Sequence, residues 1–102
     1  MAFKLHSDPA HGYLYVTARD LERVDLRPSD FTTYSFTGWD GSIYLEEDCD
    51  MSRFAKRWEE RVGKFEIDLL RFDTPAPCRD LPRNTAGQWE PFGAIKGEVK
   101  AA

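Results

Sequence analysis

An α+β fold, with a mainly antiparallel sheet of four to five strands, is predicted by three features of this chain. Short apolar stretches alternate with polar residues at 13–16, 33–37 and 42–46. An Asp40-Gly41 pair sits between the last two and signals a hairpin turn, because both residue types tolerate φ > 0. One amphipathic stretch at helical spacing then covers 50–62.

The elements follow in order. Phe3-Lys4-Leu5-His6 alternates as a first strand, and Asp8-Pro9 with Gly12 makes a loop. Tyr13–Val16 is rich in β-formers, with Leu14 and Val16 on one face and Tyr13 and Tyr15 on the other. Thr17 is a candidate N-cap for a short helix over 18–24 that buries Leu21 and Val24, with Asp20 in its first turn. Arg27-Pro28-Ser29-Asp30 ends that unit as a turn. In the hairpin, Tyr34 and Phe36 share a face of one arm, and Ile43 and Leu45 share a face of the other. Met51, Phe54, Ala55, Trp58 and Val62 form the apolar stripe of the main helix, with Asp50 as N-cap and Gly63 beyond its end. Lys64–Asp73 reads as a last strand. Its apolar phase flips at Leu69-Leu70, which predicts a bulge or a strand covered on both faces. Residues 1–73 thus form the domain. Residues 74–102, rich in Pro and Gly, form an irregular tail partly packed on it, with Trp89 and Phe92 as its anchors.

Composition bounds function. The chain has 102 residues, room for one small core. Its net charge is −4, and the acid is concentrated early: residues 1–50 hold 4 basic and 10 acidic side chains. That balance argues against direct nucleic-acid binding, which needs clustered Lys and Arg, and favours a protein partner with a basic surface. Nothing approaches the roughly 20 apolar residues of a membrane span, and no signal peptide opens the chain. Cys49 and Cys78 match no zinc, redox or haem spacing, so free thiols in a bacterial cytoplasm are the expectation.

The densest charge lies in Glu46-Glu47-Asp48-Cys49-Asp50, between strand and helix. Three uses suit it: contact with a basic protein groove, a hard cation, or a solvated strand end that favours the following helix N-terminus. Cys49 reads as a structural thiol, since its acidic neighbours oppose a thiolate. Trp39, at the hairpin tip, is a candidate interface anchor; its alternative is a ring folded back over the sheet.

The stretches Gly12-Tyr13-Leu14-Tyr15-Val16, Tyr34-Ser35-Phe36 and Ile43-Tyr44-Leu45-Glu46-Glu47-Asp48-Cys49-Asp50 resemble a group of small uncharacterised bacteriophage and prophage proteins. The resemblance covers about residues 11–58. This chain departs from the pattern at Phe36, where Tyr is usual, and at Asp25, where Gly is common. The resemblance implies a phage-borne accessory protein and carries over no catalytic residue. Small phage proteins of this kind often bind and block host machinery, including CRISPR effectors.

The expected function is therefore non-enzymatic: protein–protein binding, as an anti-CRISPR-like inhibitor of a host defence system. The expected contact residues are Trp39, Asp40, Glu46, Glu47 and Asp48, with no cofactor and no metal. One alternative is a metal-binding or catalytic domain using His6, His11, Cys49 and the Glu46–Asp50 acids, with Asp8 beside the two histidines. Another is a nucleic-acid-binding regulator using Arg53, Lys56, Arg57 and Arg61 on the main helix, although Glu59 and Glu60 interrupt that face.

Overall fold

The computed structural model describes residues 2–87. Five strands form one sheet: β1 (Phe3–Ser7), β2 (Gly12–Val16), β3 (Phe36–Thr37), β4 (Ile43–Glu46) and β5 (Ile67–Arg71). Their spatial order is β3-β4-β2-β1-β5. Three pairings are antiparallel; β5 runs parallel to β1. The helices α1 (Ala18–Arg23) and α2 (Met51–Arg61) complete the α+β architecture.

The helices cover one face of the sheet. Phe3, Leu5, Leu14, Val16, Ile43 and Leu45 meet Leu21, Val24, Phe31, Phe54 and Trp58 there. Phe3 is the hub, edge-on to Phe54 and Trp58 at 5.2 and 4.8 Å and stacked on Phe65 at 5.4 Å. Thr17 caps α1 reciprocally: its hydroxyl accepts from the Asp20 N–H, and the Asp20 carboxylate accepts from the Thr17 N–H. Asp25 closes α1 with φ 55°, in the left-handed region that glycine tolerates best.

The other face carries a strap. From Phe72, the chain crosses the sheet through a 3₁₀ turn at Pro77–Asp80 and reaches the β3 edge. Thr37 N–H donates to the Pro82 carbonyl, Asn84 N–H to the Ser35 carbonyl, and Phe36 forms an antiparallel bridge with Arg83. Ala76 and Cys78 are buried against Tyr13 and Phe36. The part of the expected tail that is described, 74–87, is thus packed on the sheet, and Trp89 and Phe92 lie outside the described residues.

Three expectations change. The first hairpin arm is only two residues long, because Thr32 and Ser35 turn aside to hydrogen-bond Asp50. That turn separates Tyr34 from Phe36: Phe36 is buried and Tyr34 exposed. The last strand has neither a bulge nor two covered faces. Its register with β1 is unbroken from Ile67 to Arg71, and all five residues of this edge strand are exposed.

Candidate functional site

The hairpin tip is built by a three-residue loop, Trp39-Asp40-Gly41, closed by the Gly38 N–H donating to the Ser42 carbonyl at 2.9 Å. Gly41 takes φ 85°, which suits glycine; Asp40 does not share that conformation, so the loop is longer than the two-residue turn its Asp-Gly pair suggests. Asp40 Oδ1 accepts from both the Ser42 N–H and hydroxyl, at 3.1 and 2.6 Å. Those bonds hold the Asp40 carboxyl below its ordinary pKa. Trp39 is 86% exposed on this braced loop, so its ring does not fold back. Beside it, Tyr15 and Tyr44 pair across β2 and β4 with ring centroids 5.1 Å apart. Trp39, Asp40, Tyr15, Tyr44, Ser42 and Leu81 line one groove of about 380 Å³.

The acidic stretch lies at the other end of the four-residue β4, roughly 10 Å along the strand at about 3.3 Å per residue. The sequence offers this run as a charged surface for a partner, a cation or solvent, but the structure buries two of its acids. Glu46 is 5% exposed. Its Oε1 accepts from the N–H groups of Asp48 and Cys49, at 2.8 and 2.9 Å, and its Oε2 meets His11 Nδ1 at 3.2 Å. Asp50 is fully buried and accepts from the Thr32 N–H and hydroxyl and from the Ser35 hydroxyl. Burial raises the pKa of Asp50 against the pull of those donors. Asp50 starts α2 without capping it through its side chain, because its oxygens are turned to the 32–35 turn. Glu47 is half-buried over Gly12, where a Cβ would stand 2.8 Å from a carboxylate oxygen. Asp48 is exposed.

His11, Tyr13, Tyr34, Glu46, Asp48, Cys49, Arg79 and Arg83 enclose a cleft of about 310 Å³. Ligand atoms of His11, Glu46 and Asp48 come within 4.8 Å of one another, a set with the right chemistry for a divalent cation. The arginines on the same cleft oppose a cation there. The His6-Asp8-His11 grouping does not converge. His6 stacks on Phe72 at 5.7 Å, and burial lowers its pKa. Asp8 is consumed by the N–H groups of Ala10, His11 and Ala76 and by Arg79.

The Cys49 thiol is pushed up to about 11 by partial burial and then by Glu46, Asp50 and Asp48, which makes it a poor nucleophile at neutral pH. Cys78 is buried and also pushed up to about 11, chiefly by desolvation. On the helix, Arg57 Nη1 donates to the Val24 carbonyl at 2.8 Å and so caps the end of α1. Ser52, Arg53, Lys56, Arg57 and Glu60 border a polar hollow, the acid among the bases as expected.

Sequence reasoning singled out Trp39 and Asp40 but not Tyr15 and Tyr44 as their neighbours. The signal was present: both tyrosines fall on the strand faces opposite the core residues Leu14, Val16, Ile43 and Leu45. Arg79 and Arg83 carried no such signal, since only the strap brings them to His11 and Glu46. Among the described residues, no helix is long and apolar enough to cross a membrane. No protein-family model, curated protein or solved structure matches the chain.

Proposed function

We propose that this chain is a non-enzymatic accessory protein that acts by binding another protein through the Trp39 hairpin tip. One observation carries the reading: a tryptophan stands almost wholly in water on a loop braced by Asp40, Ser42 and Gly41. Large exposed aromatic rings on rigid supports are the residues that anchor interfaces. Asp40 at the tip, with Glu47 and Asp48 at the far end of β4, favours a partner with a basic surface. A partner that used both ends would have to span the strand, and Glu46 would stay behind as a structural support. The resemblance to phage and prophage proteins favours a host protein in the bacterial cytoplasm, with inhibition of a defence complex as the biological outcome.

A photo-crosslinking residue placed at Leu81, on the groove beside an intact Trp39, tests the contact surface in host lysate. The adduct should be competed away by the unlabelled wild-type protein and not by Trp39→Ala, whose fold should be unchanged because the ring packs on so little. Equal competition by Trp39→Ala would sink the reading. A second reading, a divalent-cation protein, rests on the convergence of His11, Glu46 and Asp48. Elemental analysis of tag-free protein separates the two. Stoichiometric metal that is lost in His11→Ala would favour the second.

A further inference from the structure

We propose that the groove beside Trp39 is a cation-recognition site that receives an arginine side chain of the partner. The proposal rests on the assignment of Trp39 as the contact anchor and adds the chemistry of what that anchor meets. Three aromatic side chains, Trp39, Tyr15 and Tyr44, and one carboxylate, Asp40, border the same groove, and none of its lining residues is basic. Aromatic faces attract cations through their quadrupole, and a carboxylate beside them supplies the compensating charge. The groove therefore joins two attractions for one positive group.

The carboxylate is free for that role. Ser42 binds Asp40 only through Oδ1, and no ion pair to Asp40 occurs among the described residues. His6, a positive-capable neighbour of the tyrosines, has its ring 5.3 Å from that of Tyr44 and is held toward its neutral form by burial. The rings of Tyr15 and Tyr44, 5.1 Å apart and tilted by 46°, form one wall of this groove, a slot that Trp39 and Asp40 also border. A planar guanidinium suits such a slot better than a compact ammonium. It stacks on one ring face while its edge donors reach a carboxylate.

Charge separates this from a simple hydrophobic contact, and the test uses charge. The probe is a blocked Gly-Arg-Gly tripeptide, and its control replaces arginine with citrulline, a neutral isostere. Binding is followed on the Trp39 indole N–H resonance, assigned by its loss in Trp39→Phe. The arginine probe should shift that resonance saturably, and citrulline should bind at least about fivefold more weakly. Asp40→Asn keeps the Oδ1 that braces Ser42, so the rest of the spectrum should persist while arginine binding falls by a similar factor. Equal shifts from both probes, or no saturable shift from either, would overturn the proposal. If the probe fails while Trp39→Ala still fails to compete in crosslinking, the arginine assignment is wrong and the contact surface stands. If Trp39→Ala competes fully, the surface itself is wrong.

Discussion

Asp8 accepts from Arg79 Nε at 2.8 Å and, through the same oxygen, from the Ala76 N–H at 2.8 Å. One carboxylate so ties the β1–β2 turn to the strap, 68 and 71 residues further along the chain. Its other oxygen accepts from the N–H groups of Ala10 and His11, which shape the turn itself. The arginine also lies over the Tyr13 ring, 5.5 Å from its centroid.

Asp8→Asn should cost about 3 kcal/mol in urea unfolding, because it leaves donors on Ala76 and Arg79 short of a charged acceptor. Burial alone would raise the pKa of Asp8; the N–H groups of Ala76, His11 and Ala10, with Arg79, outweigh it and hold the carboxyl well below the usual range. The folded pKa is depressed, so this stabilisation is present above about pH 4 and is lost as pH falls below that value. Asp50 has the opposite sign: its pKa is raised on folding, so its ionisation removes stability as pH rises past the usual carboxylate range. A stability–pH curve for Asp8→Asn should show a shallower acid limb than that of the wild type. An unchanged limb would mean that the Asp8–Arg79 pair contributes little.

Asp25→Gly should stabilise the fold by about 0.5–1 kcal/mol, since it relieves a left-handed backbone at φ 55°. Asp25→Val should destabilise it by about 1–2 kcal/mol for the same steric reason. Chemical denaturation of the three proteins checks the ordering. Valine at or above wild-type stability would show that the position is not held in that conformation.

At pH 8 the Cys49 thiolate should amount to on the order of one part in a thousand. Iodoacetamide should therefore modify the folded protein far more slowly than the urea-unfolded chain. Glu46→Gln should speed the reaction, because it removes the carboxylate that destabilises the thiolate most after burial. Labelling of the folded protein as fast as of a free thiol would contradict the protonated state.

Strand β5 exposes Ile67, Leu69 and Leu70 at 40%, 49% and 44% on an edge of the sheet. Unprotected apolar edges promote strand-to-strand association. Leu70→Lys should lower concentration-dependent light scattering and move thermal unfolding by no more than about 4 °C. Scattering that is the same in both proteins would show that this edge does not drive association.

What the sequence determined by itself is local. The alternation of 13–16 and 43–46, the Thr17–Asp20 cap and the Phe54–Trp58 stripe each declare an element, because periodicity and capping act over a few residues. The turn at Asp40-Gly41 was legible for the same reason, and it carried Trp39 to an exposed tip. The tertiary structure alone decided which acids meet water. Glu46 and Asp50 are drawn inside and Asp48 is left out, although the three are neighbours in one charged run. Thr32 and Ser35 supply donors to Asp50 from 18 and 15 residues away, and His11 reaches Glu46 from another loop. Burying a carboxylate is tolerable only where such donors converge, and that convergence is a property of the folded chain.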